Sequence, residues 1–507
     1  MKAATVALPL IISLVVPSTI PAGQYYVAPS GNDSNPGTID QPFSTILKAH
    51  SVVSAGDTIY VRGGVYTSST TLVLSKNGTI SAKYLLLAYT GERALLDFSS
   101  MPVSSSNRGI RLSGDYWHIK GLDIKGAGDN GMNMSGSYNT VEHCSFFENR
   151  DTGLQLGGGA AYNEIINCDS YHNADPGFEN ADGFAAKLDV GTGNRFYGCR
   201  SWQNCDDGFD GYLRGADNIN TVIENCWAFK NGYLADGTPT LPNGDGNGFK
   251  MGGGDNGNSD SLKHNVIMKN CLAFDNRVKG FDQNNNRGSM TLYNCTGFRS
   301  GTNSYSLSGA VAFGQTITIT NCAALGATGS IGSHAVQQTN SWMLPSAITA
   351  ADFSSADTVG VRGPRKPDGS LPDVPFMRIA PGSPLIDAGT DVGIPYFGAA
   401  PDLGAFESEP VSSAPVDFIV EQNYPNPFNP TTNLRFTIPQ TGNVQVRIFN
   451  ILGQLVRTLA NREFGSGAHI VQWDGTDETG ARLNSGSYYA HIQYGAQSRT
   501  VKLVLVK

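Results

Sequence analysis

The segment Asn225-Cys226-Trp227-Ala228-Phe229 has close counterparts along the chain, such as Asn270-Cys271-Leu272-Ala273-Phe274. Seven cysteines occupy this position, and successive ones are separated by 24, 31, 27, 45, 24 and 27 residues: Cys144, Cys168, Cys199, Cys226, Cys271, Cys295 and Cys322. A period in the twenties with variable excess is typical of a solenoid whose insertions form loops. Between the cysteines lie short alternating segments rich in β-branched residues, which favour strands. The sequence therefore predicts an all-β protein built on a right-handed parallel β-helix, with about three short strands per coil.

The cysteines themselves carry a second prediction. An even number of cysteines would first suggest disulfides if the protein were exported. Residues that return at one phase of a repeat are better interpreted as small buried packing groups, and Cys205 is the one cysteine outside that phase. We therefore expect no disulfide framework.

Both ends of the chain differ from the repeat. Residues 1–23 contain Lys2 and an apolar run from Val6 to Val16, which is too short to span a bilayer and suits a signal peptide. Residues 24–407 are assigned to the β-helix, with a short helix capped by Ser44 or Thr45 covering its open end.

The last hundred residues indicate a separate domain. Residues 408–417 are rich in Ser, Pro and Ala, as linkers are. Closely spaced alternating strands follow, for example Val444-Gln445-Val446-Arg447-Ile448-Phe449, with turn signals between them. This pattern predicts a small Ig-like β-sandwich over residues 418–507.

Charge and hydropathy exclude some partners. The chain has a formal net charge of -8, only 15% charged residues and no basic stripe, so nucleic acid is not an expected partner. No second long apolar run is present, so we expect no membrane span and a secreted or surface-attached monomer. An acidic protein that bound a polyanion would need a cation to offset the repulsion.

The repeat also contains a Gly-Phe element, and charged residues cluster around three copies of it. These are Asp182-Gly183-Phe184, Asp206-Asp207-Gly208-Phe209-Asp210 and Asn247-Gly248-Phe249-Lys250. If the coils stack, four carboxylates meet and would repel one another without a cation. Oxygen ligands in a loop favour Ca²⁺ over Zn²⁺, so Asp182, Asp206, Asp207 and Asp210 are predicted calcium ligands. The alternative is a solvated acidic loop. The acidic stretch Asp255–Asp260 is a further candidate calcium site.

Lys250 follows its glycine by two residues, as Asp210 does, so stacking would place it over Asp210. A calcium ion one coil away would lower its pKa, whereas the aspartates would raise it, so metal occupancy would set whether it can act as a base. The alternative is a surface lysine that confers solubility. Four further basic residues are candidates to bind substrate carboxylates, or are plain surface charges: Arg214, Lys187, Lys279 and Arg287.

Two resemblances follow from these motifs. The segments Tyr25–Asp33 and Gly56–Arg62, the Asn-Cys coils and the Asp/Lys cluster resemble polysaccharide lyase family 9 pectate lyases over residues 24–407. The family's calcium aspartates match the four positions named above. The segments Gln422–Pro430, Asn450–Gly453 and Ser485–Tyr489 are similar to the type IX secretion C-terminal sorting domain, which implies contact with secretion machinery and export.

Together these observations predict a calcium-dependent pectate lyase. The enzyme would cleave polygalacturonate by β-elimination, with Lys250 removing the C5 proton of a uronate. Two alternatives use the same solenoid. One is a glycoside hydrolase of the polygalacturonase kind, in which two of Asp206, Asp207 and Asp210 act as an acid/base pair without metal. The other is a non-catalytic surface protein that binds polysaccharide.

Overall fold

A computed structural model describes residues 22–240, 242–254, 261–408, 418–465 and 467–506. The described residues form two compact units, one up to residue 408 and one from residue 418. The predicted signal peptide, apart from Ala22 and Gly23, lies outside the described residues. So do the predicted linker beyond Ser408 and the acidic stretch Asp255–Asp260. Among the described residues, no helix is both long and apolar enough to cross a membrane.

The larger unit is the predicted parallel β-helix, with three strands per coil. Within the described residues its first sheet comprises Gln24–Val27, Thr58–Val61, Tyr84–Ala88, Trp117–Lys120, Thr140–Glu142, Glu164–Ile166, Asn194–Tyr197, Ile219–Glu224, His264–Lys269, Met290–Tyr293, Ile317–Thr320 and Val336–Gln338. The second comprises Gly64–Thr67, Ala94–Asp97, Leu122–Lys125, Ser145–Phe147, Asp169–Tyr171, Arg200–Trp202, Trp227–Phe229, Leu272–Phe274, Thr296–Phe298 and Ala323–Leu325. The third comprises Leu72–Leu74, Ile110–Leu112, Met132–Met134, Leu154–Leu156, Phe184–Ala186, Phe209–Asp210, Phe249–Lys250, Lys279–Asp282, Asn303–Leu307 and Gly329–Ile331.

The recurring Asn-Cys dipeptide forms the corner between the first and second sheets. Asparagines at this corner adopt a left-handed conformation, with φ of 52° at Asn225 and at Asn270. Asn tolerates this region better than most residues, because its short polar side chain can hydrogen-bond locally. The following cysteine turns into the core, and all eight cysteines are buried free thiols. In this dipeptide the asparagine provides the left-handed backbone conformation of the corner, and the cysteine fills space in the core.

Inside the coils, side chains of the same kind stack along the axis. The rings of Phe184, Phe209, Phe249 and Phe281 are stacked in sequence, with successive centroids 5.2, 4.8 and 5.1 Å apart. A second, fully buried ladder links asparagine side chains of successive coils by hydrogen bonds of 2.9–3.0 Å: Asn149, Asn173, Asn204, Asn231 and Asn276. These ladders fix the register of the coils, because a slip would leave buried amides unpaired.

The amino-terminal end of the solenoid is covered by the helix Ile46–Val52, as predicted. Thr45 caps it by accepting a hydrogen bond from the Lys48 N–H at 3.1 Å. Its own residues Ile46 and Ala49 are buried. At the other end, two short 3₁₀ helices, Ser341–Met343 and Ala350–Asp352, lie in the irregular segment that follows the last coil.

The smaller unit has the predicted architecture of two antiparallel sheets around its own core. In the described residues, one sheet comprises Ile419–Val420, Thr432–Ile438 and Gly467–Trp473, and the other comprises Gly442–Asn450, Leu455–Phe464, Gly486–Tyr494 and Gln497–Leu505. Alternate residues such as Val444, Val446 and Ile448 point inward and are fully buried.

Candidate active site

A groove runs along the outer side of the third sheet and crosses several coils. Its volume is about 560 Å³. Its lining includes Arg108, Asp129, Arg150, Asp151, Gln155, Lys187, Asp206, Asp210, Tyr212, Arg214 and Lys250. Most of the residues predicted to carry chemistry therefore lie on one surface.

The pairing of the third-sheet strands decides which side chains become neighbours. Phe184 pairs with Phe209, and Phe209 pairs with Phe249, so the three Gly-Phe elements are aligned. Asp210 pairs directly with Lys250, which confirms that Lys250 lies over Asp210. The same register places Asp182 beside Asp207. Both aspartates directly precede the glycine of their Gly-Phe element, so equal offsets in the sequence pair here as well.

Three of the four predicted metal ligands form a tight group. Oxygen atoms of Asp182, Asp206 and Asp207 all lie within 4.8 Å of one another, and all three residues are buried. Asp210 is not part of that group in the described structure. One of its oxygens accepts the Tyr212 N–H at 3.1 Å, and the other lies 3.4 Å from Lys187 Nζ.

Lys250 is buried beside this group. Its Nζ lies 3.0 Å from Asp207 Oδ2 and 2.8 Å from Asp245 Oδ2. Burial lowers the pKa of Lys250, but Asp207, Asp210, Asp206 and Asp245 outweigh burial and hold it well above its usual value. Asp245 was not predicted, because it belongs to the insertion between two repeats and follows no phase of the pattern.

Lys187 is a second buried cation at the group. Its Nζ donates to Asp182 Oδ2 at 2.6 Å, and the same carboxylate oxygen accepts a hydrogen bond from Thr152 Oγ1 at 3.1 Å. Burial lowers the pKa of Lys187, but Asp182 and Asp210 raise it well above the usual value. Although Lys187 lines the groove, its amine serves here as a counter-ion for two carboxylates.

The residues present fit a hard divalent cation. Asp207 Oδ2 is buried and makes no hydrogen bond, since its contact with Lys250 lacks hydrogen-bonding geometry. Asn247 Oδ1, from the residue in line with Asp207 on the next coil, is likewise buried without a partner. Carboxylate and amide oxygens are the ligands that Ca²⁺ prefers. The buried His264 nearby has both ring nitrogens engaged, at Gly211 O and Thr221 Oγ1, so it offers no nitrogen ligand.

Comparison with known proteins agrees with this architecture. Residues 25–323 match the family described as "Pel9A-like, right handed beta helix region". The chain belongs to this family. Its right-handed coil and its identity as a polysaccharide lyase follow. Residues 428–498 match the FlgD Ig-like domain.

Individual relatives of this Pel9A-like lyase cover most of its β-helix. Pectate lyase L of Dickeya dadantii is 40% identical over 397 residues, which is 76% of this chain and 90% of the relative. Pectate lyase L of Paenibacillus polymyxa is 41% identical over 406 residues, or 75% and 87% of the two chains. The crystal structure of pectate lyase Pel9A superposes with a TM-score of 0.70 at 39% identity, covering 77% of this chain and 98% of that one. A rhamnogalacturonan lyase superposes with a TM-score of 0.63 at 26% identity, covering 71% and 97%.

The remaining predicted substrate contacts of the lyase separate into two kinds. Arg214 lines the groove, with its guanidinium 5.9 Å from the centroid of the Tyr212 ring. Lys279 and Arg287 are not among the residues that line this groove. Lys279 instead pairs at 2.9 Å with Asp282 of its own strand, and Arg287 Nε is buried with no hydrogen-bond partner in the described structure.

Charge burial in the lyase predicts a pH-dependent stability when a chelator is present. Burial raises the pKa of Asp207 to about 8, and it raises that of Asp182 to about 6. A raised carboxyl pKa means that the folded state holds a proton that the unfolded state has released, so stability falls as pH rises through this window. Between pH 6.5 and 8 we expect a loss of about 1–2 kcal/mol for the proton at Asp207.

Denaturant unfolding in chelator at these two pH values measures the effect. Burial lowers the pKa of His264 to about 4. Such a buried histidine makes stability rise with pH, but only at pH values below this window. The Asp207→Asn variant provides the control, because its amide cannot ionise, and its stability should change less over the same range. An equal loss in the variant would contradict the assignment of the proton to Asp207.

Proposed function

We propose that this chain is a calcium-dependent pectate lyase that cleaves polygalacturonate by β-elimination, with Lys250 as the base. The observation that carries the proposal is the position of the Lys250 amine, 3.0 Å from Asp207 Oδ2 and beside the three grouped carboxylates. A base and a cation site thus share one groove, on a fold that belongs to a lyase family.

The carboxylates of Asp182, Asp206 and Asp207 would hold the ion, and Asp210 would join them. Calcium bound there would offset the charge of a uronate carboxylate and make its neighbouring C5–H more acidic. Binding two or more of the aspartates to a cation also weakens their pull on Lys250. These carboxylates raise the pKa of Lys250. When they bind a cation instead, the Lys250 pKa falls and the amine can lose its proton.

In the elimination, the lone pair of neutral Lys250 Nζ takes the C5 proton. The electrons of the C5–H bond form a double bond between C4 and C5, and the C4–O glycosidic bond breaks. The leaving oxygen takes a proton from solvent. Since one proton leaves C5 and one reaches this oxygen, no water is consumed in cleavage. The new chain end is an unsaturated uronide, and the ammonium of Lys250 returns its proton to solvent before the next cycle.

The hydrolase alternative is less well supported. A glycosidase needs two carboxyl groups that reach opposite sides of the scissile bond. The three aspartates from which such a pair would be drawn, Asp206, Asp207 and Asp210, are all buried. Asp207 is also paired with Lys250 and Asp210 with Lys187. Their burial and close grouping favour cation binding over an acid/base pair.

The ends of the chain support a location for this activity. We place the enzyme outside the cell, since residues 1–23 have the pattern of a signal peptide. It is proposed to act as a monomer. The C-terminal unit, which matches an Ig-like family, is proposed to act as the sorting domain read by secretion machinery. The motifs Gln422–Pro430 and Asn450–Gly453 carry that assignment.

One assay separates the candidate functions. Wild-type protein is incubated with polygalacturonate in calcium or in chelator, and both ultraviolet absorbance of unsaturated uronide and new reducing ends are followed. We expect absorbance to rise with calcium and to fall at least about a hundredfold in chelator. Reducing ends that form without absorbance, and that persist in chelator, would identify a hydrolase. If the protein cleaved rhamnogalacturonan but not polygalacturonate, the proposed substrate would be wrong, whereas the assignment as a lyase would stand.

A further inference from the structure

Arg150 is an exposed cation on the wall of the groove. Its main-chain N–H donates a hydrogen bond to Ala127 O at 3.0 Å, which anchors the backbone. Its guanidinium forms no ion pair with any acidic side chain of the described residues. It also borders a second, adjoining cleft that contains His172 and Ser99. The side chain therefore presents its donors to solvent at the junction of two concave surfaces.

The other basic groups around this part of the groove are engaged. Arg108 pairs with Asp129 at 3.2 Å, and Lys187 and Lys250 are held by the aspartate group. Asp175, an acidic neighbour in the groove, has its carboxylate occupied by main-chain N–H groups, including those of Gly177 and Glu179. Arg150 thus keeps its charge available for a ligand.

The coil register gives the position of Arg150 relative to the chemistry. Arg150 precedes the strand Leu154–Leu156, which pairs with Phe184–Ala186, and that strand pairs with Phe209–Asp210. Arg150 is therefore two coils towards the amino terminus from Asp206 and Asp207. At roughly 4.8 Å per coil this separation is about 10 Å along the axis, or about two pyranose units of an extended uronan.

We propose that Arg150 binds the carboxylate of a uronate about two units away from the cleaved residue. The guanidinium fork matches a carboxylate with two parallel hydrogen bonds, which a lysine cannot reproduce. This inference rests on the proposed function, since it takes the substrate to be a polyuronate that follows the groove across the coils. It makes Arg150 a remote binding residue that does not touch the reacting atoms.

The expected signature is a dependence on substrate length. Arg150→Ala should raise KM for hexagalacturonate about tenfold and leave kcat within about twofold, because the contact is equally strong before and during the chemical step. Digalacturonate is too short to span both sites, so its kinetics should not change. Arg150→Lys should recover only part of the affinity. Calcium affinity should match that of the wild type in both variants.

Arg435→Ala is the matched control. It removes the same charge from an exposed strand residue of the C-terminal unit, and we expect wild-type kinetics. A hexagalacturonate KM that is unchanged in Arg150→Ala would overturn the proposal. So would an equal loss on the short and the long substrate, or a fall in kcat alone.

A binding experiment keeps this test independent of catalysis. Calorimetric titration of hexagalacturonate in calcium is carried out on Lys250→Met and on the double variant Lys250→Met/Arg150→Ala. We expect binding about tenfold weaker in the double variant, and equal binding would reject the subsite. Failure of the proposed function gives a different result, since wild-type protein would then form no unsaturated product from polygalacturonate at all.

Discussion

Lys250→Met is expected to lower kcat on polygalacturonate by about a thousandfold or more, with calcium affinity retained. Positioned general bases contribute on the order of 10²–10⁴-fold. The second lysine at the site, Lys187, is held as a counter-ion by Asp182 and Asp210. Methionine keeps much of the side-chain volume but cannot accept a proton. The measurement is the initial rate of ultraviolet absorbance at saturating calcium and substrate.

Two further variants protect this result from a trivial explanation. Lys250 neutralises buried carboxylates, so its loss could disturb the fold, because Asp207 has 0% exposed side-chain surface. Lys250→Arg keeps a cation next to Asp207 and Asp245 but stays protonated, and it should be as inactive as the methionine variant. Lys279→Met removes a paired lysine from the next strand of the same sheet and should keep activity within about threefold. Near-normal activity in Lys250→Arg would refute the role of base.

Asp207→Asn is expected to weaken calcium binding by about a hundredfold or more. Its carboxylate combines complete burial, an Oδ2 atom without a hydrogen bond and neighbouring oxygens of Asp182 and Asp206 within 4.8 Å. The charge and number of oxygen ligands set calcium affinity, so losing one charge has a large effect. An amide can still accept the hydrogen bond that the Asn247 N–H makes to Asp207 Oδ1 at 2.7 Å, which limits structural change.

Calorimetric titration with calcium measures this loss, and excess calcium should restore part of the lyase activity. Asp245→Asn is the matched control. It also removes a carboxylate that contacts Lys250, but Asp245 lies outside the group of three and is 55% exposed. Its calcium affinity should change less than about threefold. If the two variants bound calcium equally well, the metal site proposed here would be wrong.

The stacking of the coils was accessible from the sequence because a repeat carries its own register. Asn before Cys marks a left-handed corner, and Gly-Phe marks the start of a third-sheet strand, so positions with equal offsets must pair. This reasoning placed Lys250 over Asp210 correctly. The same rule pairs Asp182 with Asp207, since each directly precedes the glycine of its Gly-Phe element.

Residues from insertions could not be placed in the same way. Asp245 contacts the Lys250 amine from a loop that has no counterpart in other coils. Lys187 proved to be a counter-ion of Asp182, and Lys279 proved to be paired with Asp282 outside the groove. Side chains of lysine are long and flexible, so their partners depend on local geometry that no offset specifies.

The solenoid, the separate C-terminal domain and the group of residues proposed to carry the chemistry could all be predicted from the amino-acid sequence. Each of these depends on periodic backbone pairing or on alternation, which local residue types dictate. Three features emerged only from the folded arrangement. Asp210 is held apart from the other three aspartates, Lys187 and Lys250 are both buried ion-pair partners, and Arg150 forms no ion pair among the described residues. Those outcomes depend on loops of irregular length, and on competition among nearby charges in a buried site, which the repeat does not encode.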